Sequence, residues 1–262
     1  MSRERLQRQL SGYRTVAVAF SGGVDSTLLL DLAREVLGAD HVIALTAVTP
    51  YMVRQEIADA ISVASELGVR HELVELPMPE GMERNPQDRC YRCKHAMYGR
   101  LRETAADLGF QVLLDASNSD DVDDFRPGLQ ASQELEVRSP FIDFGIDKAA
   151  IRALSRERGL STADKPTNVC LLTRLQFDEP VLMDRLQRIE EAERALTARG
   201  YPGVRVRCHC GEVARVEVAP GQRVKLLADA EAVVRELRSL GFRYVAMDLL
   251  GYQLGSMNEP RR

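Results

Sequence analysis

The stretch that most restricts how this chain can fold is Thr15-Val-Ala-Val-Ala-Phe20, followed at once by Ser21-Gly-Gly-Val-Asp-Ser26 and then Thr27-Leu-Leu-Leu-Asp-Leu-Ala33. A short, continuously apolar, β-branched run suits a strand buried on both faces, and such strands belong to parallel sheets covered by helices. The six residues after it then lie at a strand's carboxyl end and a helix's amino end. Unpaired backbone N–H groups and the helix dipole favour an anion there. Gly22 and Gly23 let the backbone approach a phosphate that a Cβ would hold away, and Ser21 and Ser26 add hydroxyl donors. Asp25 is out of place against a polyphosphate unless a cation screens it, which points to Mg²⁺. A serine-capped Gly-Gly turn would explain the glycines but not the strand-to-helix setting. Ser21, Gly22, Gly23, Asp25 and Ser26 are therefore candidate ATP-binding residues, with Asp25 also a catalytic candidate. No Gly-Lys-Ser/Thr follows, so nothing suggests γ-phosphate transfer.

The rhythm continues with a strand over Val42–Ala47, a helix over Gln55–Leu67 and a strand over His71–Leu76. A helix over Lys94–Leu108 and a strand over Phe110–Asp115 follow. This alternation predicts an α/β fold with an open parallel sheet and helices on both faces, its ligand at the strands' carboxyl ends. Thr46 to Thr49 then borders the nucleotide crevice, where its backbone could read adenine. A last helix is expected over Ala149–Gly159. The later rhythm differs: helix Pro180–Arg199, hairpin strands Val204–Cys208 and Val213–Val218, helix Val224–Leu240, strand Phe242–Met247. It predicts a smaller α+β domain built on an antiparallel sheet, giving domains 1–176 and 177–262.

With 262 residues, 45% hydrophobic and 28% charged, the chain has room for two cores and no sign of disorder. No apolar run reaches the roughly 18 residues of a membrane span, and Met1-Ser-Arg-Glu-Arg-Leu6 lacks a signal-peptide core, so the expected location is the cytoplasm. A net charge of −4 gives no general attraction for nucleic acid. Five cysteines in a reducing compartment argue for chemistry or metal before disulfides.

Four later stretches carry more chemistry: Asn85-Pro-Gln-Asp-Arg-Cys-Tyr-Arg-Cys-Lys94; Asp115-Ala-Ser-Asn-Ser-Asp-Asp121 with Asp123-Asp-Phe-Arg-Pro-Gly128; Asp164-Lys-Pro-Thr-Asn-Val-Cys-Leu-Leu-Thr-Arg174; and Val204-Arg-Val-Arg-Cys-His-Cys-Gly211. The glycine-rich loop resembles that of the ATP pyrophosphatases, the PP-loop enzymes. Together with these four stretches, over about residues 10 to 255, the chain resembles the LarE family of ATP-dependent sulfur transferases, which serve nickel-pincer cofactor synthesis. The resemblance implies that ATP adenylylates a carboxylate of a pyridinium-3,5-dicarboxylate mononucleotide, that a cysteine thiolate attacks the acyl-adenylate, and that sulfur stays with the substrate. It places the sulfur-donating cysteine at Cys170, between Lys165 and Arg174, which are candidates for phosphate or thiolate stabilisation, with Lys165 counted among the ATP-binding residues. It also implies assembly into homo-oligomers such as hexamers. A tRNA thiolase, an amidating ligase of the NAD-synthetase kind and a non-catalytic ATP sensor are the competing readings.

Arg205 and Arg207 alternate on a strand and share a face, with Arg215 on the neighbouring strand. With Arg174 they are candidates for the substrate's phosphate. Asp120 and Asp121 follow a strand's carboxyl end, so Asp121 is a second Mg²⁺ candidate, with helix capping the plainer account. Arg126 could order a loop over the substrate, or make a surface ion pair. His209 is given no catalytic role. Cys208 and Cys210, read as one face of a strand, would with Cys170 supply three thiolates to a [4Fe–4S] cluster that carries sulfur. The rivals are sacrifice of the sulfur of Cys170, which leaves dehydroalanine, and Zn²⁺ held by Cys90, Cys93, Cys208 and Cys210. For Cys90 and Cys93 packing and function remain open.

Overall fold

The computed structural model describes residues 2–121, 127–166, 170–253 and 257, so Arg126 lies outside the described residues. The chain divides into two compact units, one of Met1–Pro79 with Asp88–Asn168, the other of Glu80–Gln87 with Val169–Arg262.

The first unit runs α1 (Ser2–Leu10), β1 (Val16–Ala19), α2 (Val24–Leu37), β2 (Val42–Val48), α3 (Arg54–Glu66), β3 (Arg70–Glu75), α4 (Arg89–Asp107), β4 (Val112–Leu114), α5 (Pro127–Glu134), α6 (Pro140–Asp143) and α7 (Lys148–Glu157). Its four strands form a parallel sheet in the order β3-β2-β1-β4. Both faces are covered. Val16 and Val18 join Leu28, Leu29 and Leu32 of α2, Leu6 of α1 and Ile151 of α7, whereas Ala17 joins Ile43, Leu45, Tyr98, Leu101 and Leu113 on the α4 side. Double coverage is why the strand run reads as continuously apolar instead of alternating. The expected α/β fold is the observed one, and the strand order reverses between β2 and β4, on either side of β1. Such a switch point leaves a crevice at the strands' carboxyl ends.

The second unit contains α8 (Met183–Ala198), β5 (Arg205–His209), β6 (Val213–Glu217), α9 (Arg223–Ala228), α10 (Ala230–Ser239) and β7 (Tyr244–Met247). The expected antiparallel sheet needs correcting. β5 and β6 pair antiparallel, but β7 joins β6 in parallel, because α9 and α10 form the crossover that a parallel return requires. The expected single helix over 224–240 is interrupted at Asp229, which accepts a hydrogen bond from the Tyr201 hydroxyl.

The compact units also differ from the division at 176. The segment 80–87 and residues 170–176 are tied into the second unit by backbone and amide hydrogen bonds. Buried Asn85 donates from Nδ2 to the carbonyls of Leu172 (3.2 Å), Leu175 (3.2 Å) and Gln176 (2.9 Å), and Val181 N donates to Glu83 O (2.8 Å). Leu175 bridges in parallel to Cys208. No helix among the described residues is long and apolar enough to cross a membrane.

Candidate active site

The loop Ser21–Ser26 connects β1 to α2, whose first residue is Val24. Gly22 adopts φ +66°, and a Cβ there would come within 2.7 Å of the Ala60 Cα on α3. Glycine is thus demanded twice, by the left-handed backbone and by the close approach of a neighbouring helix. The serines brace the turn. Ser26 Oγ accepts from Ser21 N (3.2 Å), lies 3.1 Å from Ser21 Oγ and donates to Gly23 O (3.2 Å), while Gly23 N donates to Ser21 Oγ (3.3 Å). The helix amino end therefore has no side-chain cap, and its dipole faces the loop.

Asp25 Oδ2 is paired with the ammonium of Lys148, the first residue of α7. Its other oxygen, Oδ1, is buried and has no hydrogen-bond partner among the described residues. A carboxylate oxygen withheld from water and left unmatched fits a hard cation, and Mg²⁺ is commonly held by one or two carboxylates with substrate phosphates completing its shell. Lys148 was not among the residues singled out from sequence. Its backbone N–H also donates to Asp120 Oδ2 (3.1 Å), so one residue joins the glycine-rich loop to the turn after β4. Lys165 reaches the same loop: its ammonium donates to Gly22 O (3.2 Å) and pairs with Glu56 (2.9 Å) and Asp59 (2.7 Å) on α3. In this arrangement Lys165 fixes the loop's backbone.

At the neighbouring strand end, Thr46 donates to Phe20 O (2.7 Å) and accepts from His71 Nε2 (2.8 Å). Its side chain therefore holds the end of β1, and burial lowers the pKa of His71. After β4, Asp121 Oδ2 accepts from Asn118 N (3.0 Å). Buried Asp115 accepts from Tyr98 (2.6 Å) and Ser117 (2.7 Å), so this carboxylate organises the turn.

In the second unit, Cys170 is half-buried and precedes a short 3₁₀ turn, Leu171–Arg174. Its carbonyl accepts from Thr173 Oγ1 (2.9 Å) and Arg174 Nη1 (3.2 Å), which sets a guanidinium beside the residue. Burial disfavours the charged form of Arg174, but Glu193 prevails and raises its pKa through two contacts of 2.9 Å. Arg207 is likewise buried and forked onto Glu217 (2.9 and 2.8 Å), with a third bond to Thr173 O (2.9 Å). Arg215, on β6 opposite Arg207, also pairs with Glu217 (3.1 Å) and donates to His209 Nε2 (3.1 Å). Arg205 lies over the Tyr252 ring at 5.5 Å. Burial and then the Arg174 charge hold its pKa below the usual arginine value. The four arginines thus gather around β5 and β6, and three of them are anchored to carboxylates that sequence reasoning did not include, Arg174 to partly buried Glu193 and both Arg207 and Arg215 to buried Glu217.

The cysteine pattern requires a correction. β5 ends at His209, and Cys210 lies beyond it at φ +50°, exposed, whereas Cys208 is fully buried. The two thiols do not share one strand face, because the turn into β6 begins between them. Burial raises the pKa of the Cys208 thiol. Among the described residues no three His, Cys, Asp or Glu side chains form a metal-binding group. Among them Cys170, Cys208 and Cys210 do not assemble the three-thiolate donor set that a [4Fe–4S] cluster needs.

A glycine cradle at a parallel sheet's switch point, closed by an acidic residue and lacking a Walker lysine, defines a PP-loop ATP pyrophosphatase-type protein. Residues 3–96 match the family model described as NAD synthase. The chain is 38% identical to the uncharacterized protein slr1717 of Synechocystis sp., over 97% of this chain and 96% of that protein. It is 36% identical to the pyridinium-3,5-bisthiocarboxylic acid mononucleotide synthase of Lactiplantibacillus plantarum, over 95% of this chain and 91% of the synthase. Similarity to the NH(3)-dependent NAD(+) synthetase of Hyperthermus butylicus, 40% identical, covers only 25% of this chain. The chain belongs to the LarE family of ATP-dependent sulfur transferases.

Proposed function

We propose that this chain activates a carboxylate of pyridinium-3,5-biscarboxylic acid mononucleotide with ATP and converts it to a thiocarboxylate, with Cys170 supplying the sulfur. The observation that carries the reading is the PP-loop cradle with the unmatched Oδ1 of Asp25, in a chain similar over nearly its whole length to the Lactiplantibacillus synthase.

A carboxylate is a poor electrophile because oxide would have to leave. Transfer of AMP supplies a good leaving group, and pyrophosphate departs into the cradle of loop N–H groups, Ser21 and Ser26. Asp25, and in our reading also Asp121, would hold Mg²⁺, which when bound would supply charge neutralisation at the phosphates. Lys148 is Asp25's counter-ion and can turn to the departing pyrophosphate. Lys165 keeps the Gly22 carbonyl turned away from the anion. Arg205 and Arg207 are assigned to the substrate's phosphate. Burial, and then the Arg174 charge, disfavour the Arg205 cation, so an anion beside it is favoured. The Cys170 thiolate attacks the acyl carbon and expels AMP, with Arg174 a fixed cation beside it. The resulting thioester loses a proton from the Cys170 Cα as the Cβ–S bond breaks, leaving thiocarboxylate and dehydroalanine.

The test is incubation of the full chain with ATP, Mg²⁺ and the dicarboxylate mononucleotide. We expect AMP and pyrophosphate, released only when the mononucleotide is present, and a Cys170 peptide lighter by the elements of H₂S. ADP as the stoichiometric product would overturn the ATP chemistry. Cys170 unchanged after turnover, with about four irons per chain after anaerobic reconstitution, would overturn the sacrificial sulfur source. We also propose self-association. Val224 and Leu227 of α9 and Leu249 and Leu250 after β7 are 66–81% exposed, an apolar surface suited to a second copy. Sedimentation of Leu227→Asp should show a smaller species than wild type.

A further inference from the structure

Cys90 and Cys93 take no part in the chemistry above, yet their setting is specific. Helix α4 begins at Arg89, earlier than the sequence rhythm indicated, so the two cysteines fall within its first turns. Residues at i and i+3 share a helix face, with Cβ atoms about 5–6 Å apart. Cys90 is exposed and Cys93 is half-buried. Behind Cys93 stands Tyr51, itself buried, whose hydroxyl donates to Cys93 Sγ at 3.1 Å. Among the described residues no further His, Cys, Asp or Glu completes a metal set around them.

We infer that Cys90 and Cys93 are a redox-active dithiol whose substrates are disulfides. A disulfide needs Cβ atoms about 3.5–4.5 Å apart. A first helical turn can close that gap by tightening toward 3₁₀ geometry, because its leading N–H groups, those of residues 89–91, have no partners within the helix to lose. The exposed Cys90 thiolate attacks one sulfur of a disulfide RSSR, giving a Cys90–S–S–R mixed disulfide and releasing RS⁻. The Cys93 thiolate then attacks Cys90 Sγ, forming the Cys90–Cys93 bond and releasing the second RS⁻. The dithiol loses two protons and two electrons, and RSSR becomes two RSH. Burial raises the Cys93 thiol pKa and would slow the second attack, while the Tyr51 hydrogen bond opposes that rise by favouring the thiolate. The arrangement separates the roles, with an accessible attacking thiol and a sheltered resolving thiol carrying its own hydrogen-bond donor.

The test uses the reduced full-length protein and oxidised glutathione, with acid quenching, unfolding and alkylation at timed intervals. Trypsin cuts after Arg89, Arg92 and Lys94, so the product should be Cys90-Tyr-Arg92 joined by a disulfide to Cys93-Lys94, with Cys170, Cys208 and Cys210 alkylated. Cys93→Ser should trap glutathione on Cys90, and Cys90→Ser should leave Cys93 alkylated. Tyr51→Phe keeps the buried ring and should lengthen the lifetime of the mixed disulfide about tenfold, the worth of one hydrogen bond to a charged group. A wild-type protein that ends as a stable Cys90 glutathione adduct, or with both thiols alkylated, would overturn the proposal. An unchanged mixed-disulfide lifetime in Tyr51→Phe would remove Tyr51 from it.

Discussion

At the scale of single residues, the phosphate cradle depends on Gly22 more than on any hydroxyl. Gly22→Ala places a methyl group 2.7 Å from the backbone of α3 at φ +66°, so either the loop or the helix must shift. We expect pyrophosphate formation to fall at least a hundredfold and stability by about 1–3 kcal/mol, measured by a pyrophosphate assay and thermal melts. Asp25→Ala should abolish turnover while relieving the buried oxygen. Lys148→Ala should lower kcat, and added Mg²⁺ should not restore it if the ammonium itself meets the leaving pyrophosphate. Asp25 was legible in the sequence because it stands inside a short motif whose chemistry it contradicts. Lys148 was not, since its partner lies 123 positions away and only the packing of α7 joins them. The one local hint was its place behind Asp147, whose side chain caps the start of α7 by accepting from Ala150 N (2.7 Å).

At the scale of elements, β5 shows how a strand can read correctly by period and still hide its energetics. Alternation put Arg205 and Arg207 on one face, but no local pattern announces that buried Glu217 and partly buried Glu193 pair with Arg207 and Arg174. Arg207→Ala takes two donors from one oxygen of the fully buried Glu217 carboxylate, which keeps its pair with Arg215, so a loss of about 1.5–3 kcal/mol in stability is expected beyond any effect on substrate. Binding measurements on that variant need a melting curve beside them. The same sheet carries a pH response. Burial, and then the Arg215 charge, lower the His209 pKa below its ordinary 6.5, and His209 Nε2 accepts from Arg215. The unfolded chain therefore binds more protons than the folded one in this range. The stability tied to His209 is complete above about pH 6.5 and declines as pH falls toward the folded-state value. Denaturant titrations should show this slope flattened in His209→Gln. β7 and the start of α4 were misjudged for a related reason. Strand direction is set by the crossover, and the first turn of α4, which is polar, offers little periodicity to read.

At the scale of the whole molecule, the sequence displayed the change of rhythm between the two units but not the excursion of residues 80–87. That segment has no strand or helix of its own, and its membership rests on hydrogen bonds from Asn85 that composition cannot show. Asn85→Asp replaces the amide donor with an acceptor facing three carbonyls, so the variant should be destabilised by several kcal/mol, with the loss greatest in the unfolding of the second unit. A fragment of residues 169–262 should likewise melt lower than the same unit in the intact chain, and a peptide of residues 80–87 should bind it and raise its melting point. The excursion also has a consequence in time. During synthesis Asn85 leaves the ribosome long before Leu172, Leu175 and Gln176 exist, so the second unit cannot close until nearly all of the first has been made. Residues 80–87 thus wait for their partners throughout the synthesis of residues 88–168, and a chain that stalls in that interval carries an unpaired strap that a quality-control chaperone could recognise.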